Sequence, residues 1–250
     1  MDKRRLDAEL ARRGMTTTRS QAESLIKLGK VSVNGKVITK PGHFVTSIME
    51  LSIEGNERYV SRAGLKLASV AQLLNLDFRN KVVLDVGSST GGFTDYALQH
   101  EAKNVFAVDV GTDQLHPSLH RHPRIELHEK TDIRDFHLDV KPDITVIDVS
   151  FISLRDILPH IARSLSGPDT QIVAMVKPQF EAGREQINKG VIKNDAIRRQ
   201  ILKDFEVWAK DWFVINDKRD SEVAGAKGNQ ERFYLLTLNR NSTTSPGRIT

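Results

Sequence analysis

The sequence contains no cysteine among its 250 residues. This absence excludes disulfide bonds, thiolate zinc sites, iron–sulfur clusters and catalysis by a thiol nucleophile. Apolar runs are also short, and none approaches the roughly 20 residues that a membrane-spanning helix needs. Carboxylates at Asp7 and Glu9 leave no room for a signal-peptide core. Together these absences predict a soluble protein of the reducing cytoplasm.

Positive charge is concentrated near the start of the chain. The whole sequence has 37 Lys and Arg residues against 32 Asp and Glu, a formal net charge of +5. Residues 1–45 contain ten basic and four acidic residues, whereas the remainder contains 27 basic and 28 acidic residues. A solvated helix face would give similar counts, but the asymmetry favours a nucleic acid as the partner of this N-terminal part.

Residues 1–60 are predicted to form a small α+β domain, with residues 56–60 as the linker to the rest of the chain. Apolar residues recur at helical spacing over residues 4–14 and 18–28. An Asn-Gly turn within residues 31–38 predicts a β-hairpin, and weaker alternation over residues 43–53 predicts another strand pair.

Residues 61–240 alternate between strand and helix patterns, which predicts an α/β fold with a mostly parallel, doubly wound sheet. The predicted strands cover residues 82–86, 104–108, 124–128, 143–147, 171–176, 212–215 and 232–238, and the predicted helices cover residues 62–76, 92–100, 154–164 and 195–210. Residues 241–250 are polar and are predicted to form a disordered tail.

A glycine-rich turn follows the predicted strand 82–86. Gly87, Gly91 and Gly92 permit positive φ angles and a close approach of the backbone to a ligand. Asp109 ends the next strand, where a carboxylate can accept hydrogen bonds from both hydroxyls of a ribose. A tight turn alone would explain the glycines but not the acids, so the pattern predicts a cofactor that contains adenosine.

The spacing of this turn separates the possible cofactors. Dinucleotide sites carry G-x-G-x-x-G, whereas this turn has G-x-x-x-G-G and no Gly-Lys-Ser/Thr follows it. S-adenosylmethionine has no phosphate and needs acids for its amino group and ribose, which Asp85 and Asp109 can supply. Asp132 could face the adenine amino group, although on its own it is better explained as a helix cap. We therefore predict a methyltransferase rather than a dehydrogenase.

Charged residues also end two later strands. Asp148 follows the strand 143–147, and Lys177 follows the strand 171–176. Such side chains are costly to bury unless they face a cleft or pair with each other. An isolated lysine at a strand end is ordinarily solvated, but Asp148 and Glu231 are expected at the same edge. A cationic sulfonium there favours the neutral amine of a lysine, which could help to remove a proton from a hydroxyl.

Two further absences limit which chemical group can accept the methyl group. Carbon-5 methylation of pyrimidines uses a cysteine nucleophile, and the chain has none. Enzymes that methylate exocyclic amines usually carry Pro-Pro and an aromatic residue after the acid of the fourth strand, whereas Asp148 is followed by Val-Ser-Phe. The acceptor is therefore predicted to be a hydroxyl group.

Seven stretches in order resemble the TlyA family, often labelled hemolysin A, and the resemblance covers about residues 3–239. The stretches are residues 4–7, 29–35, 59–67, 85–93, 148–154, 176–181 and 228–231. Family members join an S4-type RNA-binding domain to a Rossmann-like, S-adenosylmethionine-dependent methyltransferase domain of the FtsJ (RrmJ) type. The resemblance implies 2′-O-methylation of ribose in ribosomal RNA, with cytidine as the expected nucleotide.

The resemblance also implies roles for individual residues. A Lys-Asp-Lys-Glu tetrad maps in order onto Lys66, Asp148, Lys177 and Glu231. By this analogy Lys177 activates the 2′-hydroxyl, Asp148 and Glu231 orient the lysines, and Lys66 binds or polarises the acceptor. The implied cofactor-binding residues are Asp85, Gly87, Ser88, Ser89, Gly91, Phe93, Asp109 and Asp132.

The N-terminal domain is expected to bind ribosomal RNA or a ribosomal subunit through phosphate and shape contacts. The candidate RNA-binding residues are Arg4, Arg5, Arg19, Ser20, Lys27 and Lys30. Each of them alone is more simply an ordinary surface residue, but as a set they form a patch whose affinity should fall with salt.

Three alternatives remain open from the sequence. The hemolysin label suggests membrane lysis, yet no apolar span or strongly amphipathic strand is visible, so no membrane partner is expected. The chain could instead be an RNA-binding ribosome-assembly factor with little catalytic power. A metal site at His116, His120 and His122 would lack a recognisable ligand spacing, so solvated histidines and no metal are expected.

Overall fold

A computed structural model describes residues 3–16, 18–53, 59–182, 191–192, 194–223 and 229–239. The chain divides into two compact units, Met1–Arg58 and Tyr59–Thr250. The predicted tail 241–250 lies outside the described residues, as do residues 54–58, which include most of the predicted linker. None of the helices in the described ranges has the length and apolar character needed to span a bilayer.

The first unit packs two helices on short antiparallel strands. Its elements are β1 (Arg4–Arg5), α1 (Leu6–Arg12), α2 (Arg19–Lys27), β2 (Val31–Val33), β3 (Lys36–Val37), β4 (Phe44–Val45) and β5 (Leu51–Ile53). The strands form a three-stranded sheet in the order β3-β2-β5 and a separate pair of β1 with β4. Leu6, Leu10 and Ile26 from the helices are fully buried in the core of this unit, together with Val31.

Two of the predictions for this unit are wrong in detail. The first helix does not begin at residue 4, because Arg5 has an extended backbone and both arginines lie in β1. The segment 43–53 holds two strands that do not pair with each other, since β4 pairs with β1 and β5 pairs with β2. The Asn-Gly hairpin is correct, with positive φ angles at both turn residues, as a type I′ turn requires.

The second unit carries a seven-stranded sheet. Its strands are β6 (Val82–Val86), β7 (Asn104–Val108), β8 (Ile125–His128), β9 (Ile144–Ile147), β10 (Gln171–Val176), β11 (Phe213–Asp220) and β12 (Arg232–Leu238), and its helices are α3 (Arg62–Ala71), α4 (Gly92–Gln99), α5 (Leu154–His160), α6 (Pro178–Glu181) and α7 (Asp195–Ala209). The strand order is β11-β12-β10-β9-β6-β7-β8. Strands β10, β9, β6, β7 and β8 are parallel, and β12 is antiparallel to both of its neighbours.

Helices cover both faces of this sheet, as the sequence predicted. Successive residues of a strand enter different cores: Val83 packs with residues of α3 and α4, whereas Leu84 packs with residues of α5 and α7. This alternation follows from the two-residue period of a strand. The strands of the sheet interior are therefore mostly apolar, with Asp85 in β6 and Thr145 in β9 as buried exceptions, and further polar residues lie where the strands end.

Helix and strand ends account for most of the differences from prediction. Helix α3 ends at Ala71 rather than residue 76, and α5 gives way to a π-helical turn over Ile161–Leu165, shortly after Pro159. A proline lacks the N–H that the regular ladder needs at that point. Strand β11 is longer than predicted because it lies at the sheet edge, where its polar residues reach solvent, and it bulges between Ile215 and Asp217.

Candidate active site

The charged residues at the strand ends lie along one edge of the sheet. Strands β6, β9 and β10 are parallel, and Val86 pairs with Ile147 in the ladder. Val176 pairs with Arg232 on the antiparallel strand β12. The residue after Val176 is Lys177, and the residue before Arg232 is Glu231, so the start of β12 meets the ends of the parallel strands.

Lys177 and Asp148 form an ion pair at this edge. The Lys177 Nζ atom lies 2.6 Å from Asp148 Oδ1 and donates a hydrogen bond of 2.8 Å to Ser150 Oγ. The ammonium group also lies 5.8 Å from the centre of the Phe180 ring. Lys177 is buried, and a buried ammonium needs such partners because it has lost most of its water.

Lys66 and Glu231 form a second ion pair. The Lys66 Nζ atom lies 2.5 Å from Glu231 Oε2, and both side chains are almost completely buried. Helix periodicity alone assigns Lys66 to a solvent-exposed face, so only the family resemblance pointed to it. The structure thus places all four members of the predicted tetrad in two largely buried ion pairs. Asp148 and Lys177 follow the ends of β9 and β10, and Glu231 precedes the start of β12 at the same edge.

Two of the turn glycines are required by contacts within the protein. Gly87 and Gly91 have φ angles of 80° and 88°. A Cβ atom at Gly87 would lie 2.8 Å from the carbonyl oxygen of Asp148, and one at Gly91 would lie 2.5 Å from Leu119 Cδ1. Both clashes are with protein atoms, so close packing within the protein is enough to require glycine at these two positions.

Two adjoining cavities open at this edge, with volumes of 360 and 130 Å³. Gly87, Ser89, Asp148 and Ser150 line both of them. The larger cavity continues past the ends of β7 and β8, and its further lining includes Asp109, Val110, Gln114, Asp132, Ile133 and Phe151. The smaller one is completed by Asp85, Ser88, Phe93 and Lys177, among others. Gly91 is not among the described residues that line either cavity.

Asp85 is a buried carboxylate with one unmatched oxygen. Its Oδ2 atom accepts a hydrogen bond of 2.6 Å from Thr94 Oγ1, whereas its Oδ1 atom is buried without a hydrogen-bond partner. Burial, aided by the charges of Asp148 and Asp109, raises the pKa of Asp85 to about 7. The hydroxyl of Ser88 is likewise buried and unmatched. Unmatched acceptors beside a cavity fit a ligand that brings hydrogen-bond donors, such as an ammonium group.

Asp109 cross-links the glycine turn to the end of the next strand. Its two oxygens accept hydrogen bonds from the backbone N–H groups of Ser89 and Gly111, at 2.8 and 2.7 Å. Each carboxylate oxygen has a second lone pair, so the group can still accept a hydrogen bond from a ligand in the larger cavity. This arrangement is compatible with the predicted contact to a ribose.

Asp132 is held in a turn and does not cap a helix. It accepts a hydrogen bond from the backbone N–H of Arg134, and the Arg134 guanidinium pairs with it at 2.6 Å. This guanidinium lowers the pKa of Asp132. Phe93, another predicted cofactor contact, is a core residue whose ring lies 6.1 Å from that of Phe233, although it also lines the smaller cavity.

Phe151 is a feature that the sequence argument did not single out. Its side chain is 91% exposed, and its φ angle of 67° lies in the left-handed region, which is strained for an aromatic residue. It lines the larger cavity, and its ring lies 5.2 Å from that of Phe180. An exposed aromatic ring beside the cavity provides a flat surface on which a planar group can stack. The sequence did contain an indication of this residue, because Phe151 is the aromatic residue of the Val-Ser-Phe string that follows Asp148.

In the first unit, buried carboxylates neutralise part of the predicted basic patch. Asp7 is fully buried and pairs with Arg5 at 2.8 Å and with Arg19 at 3.1 Å. The hydrogen bonds from these arginines, that of Arg5 above all, lower the pKa of Asp7. Lys27 pairs with Glu23 across one helical turn. The six candidate RNA-binding residues, Arg4, Arg5, Arg19, Ser20, Lys27 and Lys30, are all exposed.

Glu9 repeats the same arrangement. Its buried carboxylate accepts hydrogen bonds from Arg12 and Arg13, which lower the pKa of Glu9 to about 2. Arg13 also donates to the carbonyl oxygens of Thr46, Ser47 and Met49. Arg13 therefore stabilises the fold of the first unit. Its charge is largely taken up by these contacts, although the count of basic residues over residues 1–45 includes it.

The three histidines that were considered as metal ligands bond within their own loop. A ring nitrogen of His116 contacts Ser118 Oγ, one of His120 contacts the carbonyl oxygen of Leu115, and one of His122 accepts from the backbone of Arg124. In the part of the chain that the structure describes, no group of three or more metal-ligating side chains comes together.

Comparison with known proteins identifies relatives of both units. The family model of the FtsJ-like methyltransferase matches residues 59–239, and that of the S4 domain matches residues 4–51. The "Putative rRNA methyltransferase YqxC" of Bacillus subtilis is 41% identical, over 94% of this chain and 85% of the relative. The "16S/23S rRNA (cytidine-2'-O)-methyltransferase TlyA" of Mycobacterium tuberculosis is 36% identical, over 93% of this chain and 89% of the relative.

A solved structure shows the same architecture. The structure of a "Putative hemolysin from Streptococcus thermophilus" superposes with a TM-score of 0.75 at 39% sequence identity. The match covers 96% of this chain and 90% of the other. The order of the elements is therefore shared over nearly the whole length of both chains.

Proposed function

Because the chain belongs to the FtsJ-like methyltransferase family and carries an S4 domain, we propose that it methylates the ribose 2′-hydroxyl of a cytidine in ribosomal RNA. The methyl donor in this proposal is S-adenosylmethionine. The observation that carries it is the ion pair of Lys177 with Asp148 at the wall of the smaller cavity. Such a substrate entails a cytoplasmic location. The nucleotide and the reaction are those in the name of the Mycobacterium tuberculosis relative.

The residues around the cavities fit S-adenosylmethionine. The unmatched Oδ1 of Asp85 suits its ammonium group, and Asp109 retains lone pairs for its ribose hydroxyls. Val110, Ile133 and Ile152 supply apolar lining for a planar base in the larger cavity. When bound, the cofactor supplies an electrophilic methyl group on a sulfonium.

Lys177 is the proposed general base. After its ammonium has lost a proton, the amine would accept the proton of the acceptor hydroxyl, and the bound cofactor would supply the methyl group to that oxygen. Asp148 and Ser150, at 2.6 and 2.8 Å, fix the position of Nζ. Glu231 holds Lys66 at the same edge, where its ammonium can polarise the acceptor. Holding the reacting groups in this way removes much of the entropy cost of bringing them together.

An RNA acceptor also accounts for features outside the reacting centre. Phe151 offers an exposed ring beside the larger cavity, and stacking on aromatic rings is a common way to hold an unpaired base. Arg5 and Arg19, with Lys30, supply exposed positive charge on the first unit, which suits contacts with phosphates.

The test uses ribosomal RNA isolated from cells that lack this protein, and it measures the 2′-O-methyl groups that the purified protein adds to this RNA. Purified protein and labelled S-adenosylmethionine should produce 2′-O-methylcytidine, detected by nucleoside mass spectrometry. Lys177→Ala should reduce transfer at least a hundredfold while leaving cofactor binding, measured by calorimetry, within about twofold. Lys81→Ala is the matched control, since Lys81 also forms an ion pair, with Asp143, at the opposite ends of the strands.

Two results would contradict the proposal. Absence of transfer by the unaltered protein to any ribosomal RNA or subunit would favour a binding protein that assists ribosome assembly. Transfer by Lys177→Ala at the unaltered rate would show that another residue serves as the base.

A further inference from the structure

Glu181 joins the two segments that carry the reacting side chains. It lies four residues after Lys177, at the end of α6, and its side chain is 1% exposed. Its Oε2 atom accepts a hydrogen bond of 2.6 Å from Ser153 Oγ, and its Oε1 atom accepts one of 2.7 Å from the backbone N–H of Leu154. Both donors belong to the segment that follows Asp148.

The sheet itself does not hold these segments together. The ladder between β9 and β10 extends to the pairing of Ile147 with Ala174. Asp148 still donates its backbone N–H to the carbonyl oxygen of Val86 on β6. Residues 149–153 then leave the sheet and lead to α5, while Lys177 begins the short turn of α6. The backbone N–H of Phe180 donates to the carbonyl oxygen of Lys177 at 2.9 Å, so the position of Glu181 is tied to that of Lys177.

The segment that Glu181 holds contains a strained residue. Phe151 has a positive φ angle, which is unfavourable for a residue with a bulky side chain. Its ring is exposed, so packing of the ring does not stabilise this backbone conformation. Ser150, directly before it, receives the hydrogen bond from Lys177. A strained conformation persists only when surrounding contacts determine it. The carboxylate bonds at Ser153 and Leu154 are such contacts, two and three residues further along the chain.

Burial of this carboxylate is costly in itself. Desolvation raises the pKa of Glu181 in spite of its hydrogen bonds. Among the residues that the structure describes, the Arg155 guanidinium lies 3.6 Å from this carboxylate, and it also lies 5.8 Å from the centre of the Trp208 ring. Capping of α5 alone does not require Glu181, because the Ser153 side chain already accepts a hydrogen bond from the backbone of Arg155. A second, buried acceptor at this point therefore indicates a task beyond starting the helix.

We propose that Glu181 is a positioning residue for methyl transfer, and this inference rests on the proposed function. Its carboxylate fixes residues 150–153 against the turn that carries Lys177. Ser150 then stays within hydrogen-bond distance of the Lys177 amine, and Phe151 stays at the wall of the cavity. Glu181 is not among the described residues that line the two cavities, so its loss should change the rate of transfer and not the binding of the cofactor.

The experiment compares Glu181→Ala with Asp143→Ala in steady-state methylation of ribosomal RNA. Asp143 is the matched control because its carboxylate also accepts a backbone hydrogen bond, from Val82, at the opposite end of β9. Glu181→Ala should lower kcat by about 10- to 100-fold, the effect of a displacement of about 1 Å. The KM for S-adenosylmethionine should stay within twofold. Asp143→Ala should leave kcat within twofold.

Glu181→Gln provides a conservative rescue. Its amide oxygen can still accept from Leu154, and its amide nitrogen can donate to Ser153, so kcat should return to within about threefold of the unaltered protein. If Glu181→Ala does not fold, Ser153→Ala removes one of the two bonds and should lower kcat severalfold. The inference is overturned if Glu181→Ala lowers kcat no more than Asp143→Ala, or if Gln restores nothing. Failure of the unaltered protein to methylate RNA would instead overturn the proposed function.

Discussion

Gly64 and Gly92 bring the backbones of α3 and α4 almost into contact. A Cβ atom on Gly64 would lie 2.9 Å from the carbonyl oxygen of Gly92, and one on Gly92 would lie 2.7 Å from Ala63 Cβ. The two helices therefore pack at a distance that admits no side chain at their crossing. Lys66 lies on α3, so this crossing also sets where its ammonium meets Glu231.

Gly92→Ala should destabilise the protein and lower its activity. Overpacking of a close contact costs about 1–3 kcal/mol, and the shift of α3 would displace Lys66. Denaturant unfolding and the methylation rate measure the two effects. Gly167→Ala is the control, since its Cβ would meet Lys141 Cβ at 3.3 Å, a contact that a small shift relieves. Equal stability of the two variants would contradict the packing argument.

Asp85→Asn should stabilise the protein more at pH 8 than at pH 5. The pKa of Asp85 is raised from 3.8 to about 7, so the folded state binds this proton more tightly than the unfolded chain. The free energy of unfolding of the unaltered protein then falls as the pH rises from about 4 to about 7, by up to about 4 kcal/mol. The amide avoids this loss, and the gain at pH 8 should exceed that at pH 5 by about 3 kcal/mol.

The same variant should bind S-adenosylmethionine more weakly. Asp85 supplies the unmatched oxygen that the ammonium group of the cofactor would meet, and an amide at this position carries no charge. Calorimetric titration gives the affinity, with Asp143→Asn at the opposite end of the sheet as the control. A pH-independent stability change together with unaltered affinity would show that Asp85 has an ordinary structural role.

Phe151→Ala should weaken RNA binding without reducing stability. The ring is 91% exposed, so its removal forfeits little packing, whereas stacking on a base contributes about 1–3 kcal/mol. The KM for RNA should rise by about tenfold or more, and Phe151→Tyr should retain the unaltered value. Val207→Ala, which removes an exposed apolar side chain of α7, is the control. A KM that is unchanged in Phe151→Ala would exclude stacking on this ring.

Lys30→Ala should reduce the salt dependence of RNA binding. Lys30 is exposed in the first unit, and each phosphate contact contributes about 0.7–0.9 to the slope of log affinity against log salt. Binding measured over a range of salt concentrations should show the slope decreasing by about that amount. Lys103→Ala, an exposed lysine of the second unit, should leave the slope unchanged. Equal slopes in all three proteins would remove Lys30 from the set of phosphate contacts.

The strand ends were predictable from the sequence, and residues placed by tertiary contacts were not. Asp148 and Lys177 each follow an apolar run that predicts a strand, and parallel strands end at the same edge of a sheet. The local sequence pattern was therefore enough to predict that these two residues meet. The burial of Lys66 depends on Glu231, which lies 165 positions further along the chain and arrives on an antiparallel strand. No periodicity in the helix signals that partner, and only the family resemblance indicated it.

Charge counting failed for a related reason. Arg12 and Arg13 follow Glu9 at the i+3 and i+4 spacings that pair side chains on one helix, so a bare count of charges overlooked a pairing that the sequence already allows. Arg19 lies twelve residues from Asp7, and its pairing depends on α2 packing against α1. The excess of basic residues therefore overestimates the charge that the first unit presents to a partner.

The direction of β12 has a practical consequence for labelling the protein. This strand starts at the reactive edge with Arg232 and runs antiparallel to β10, so Leu236 pairs with Ile172 near the start of that strand. Asn239, which follows β12, bonds to the backbone of Trp212 at the far side of the sheet. A fluorophore attached at Asn239 would therefore be held at the rim opposite to the cavities.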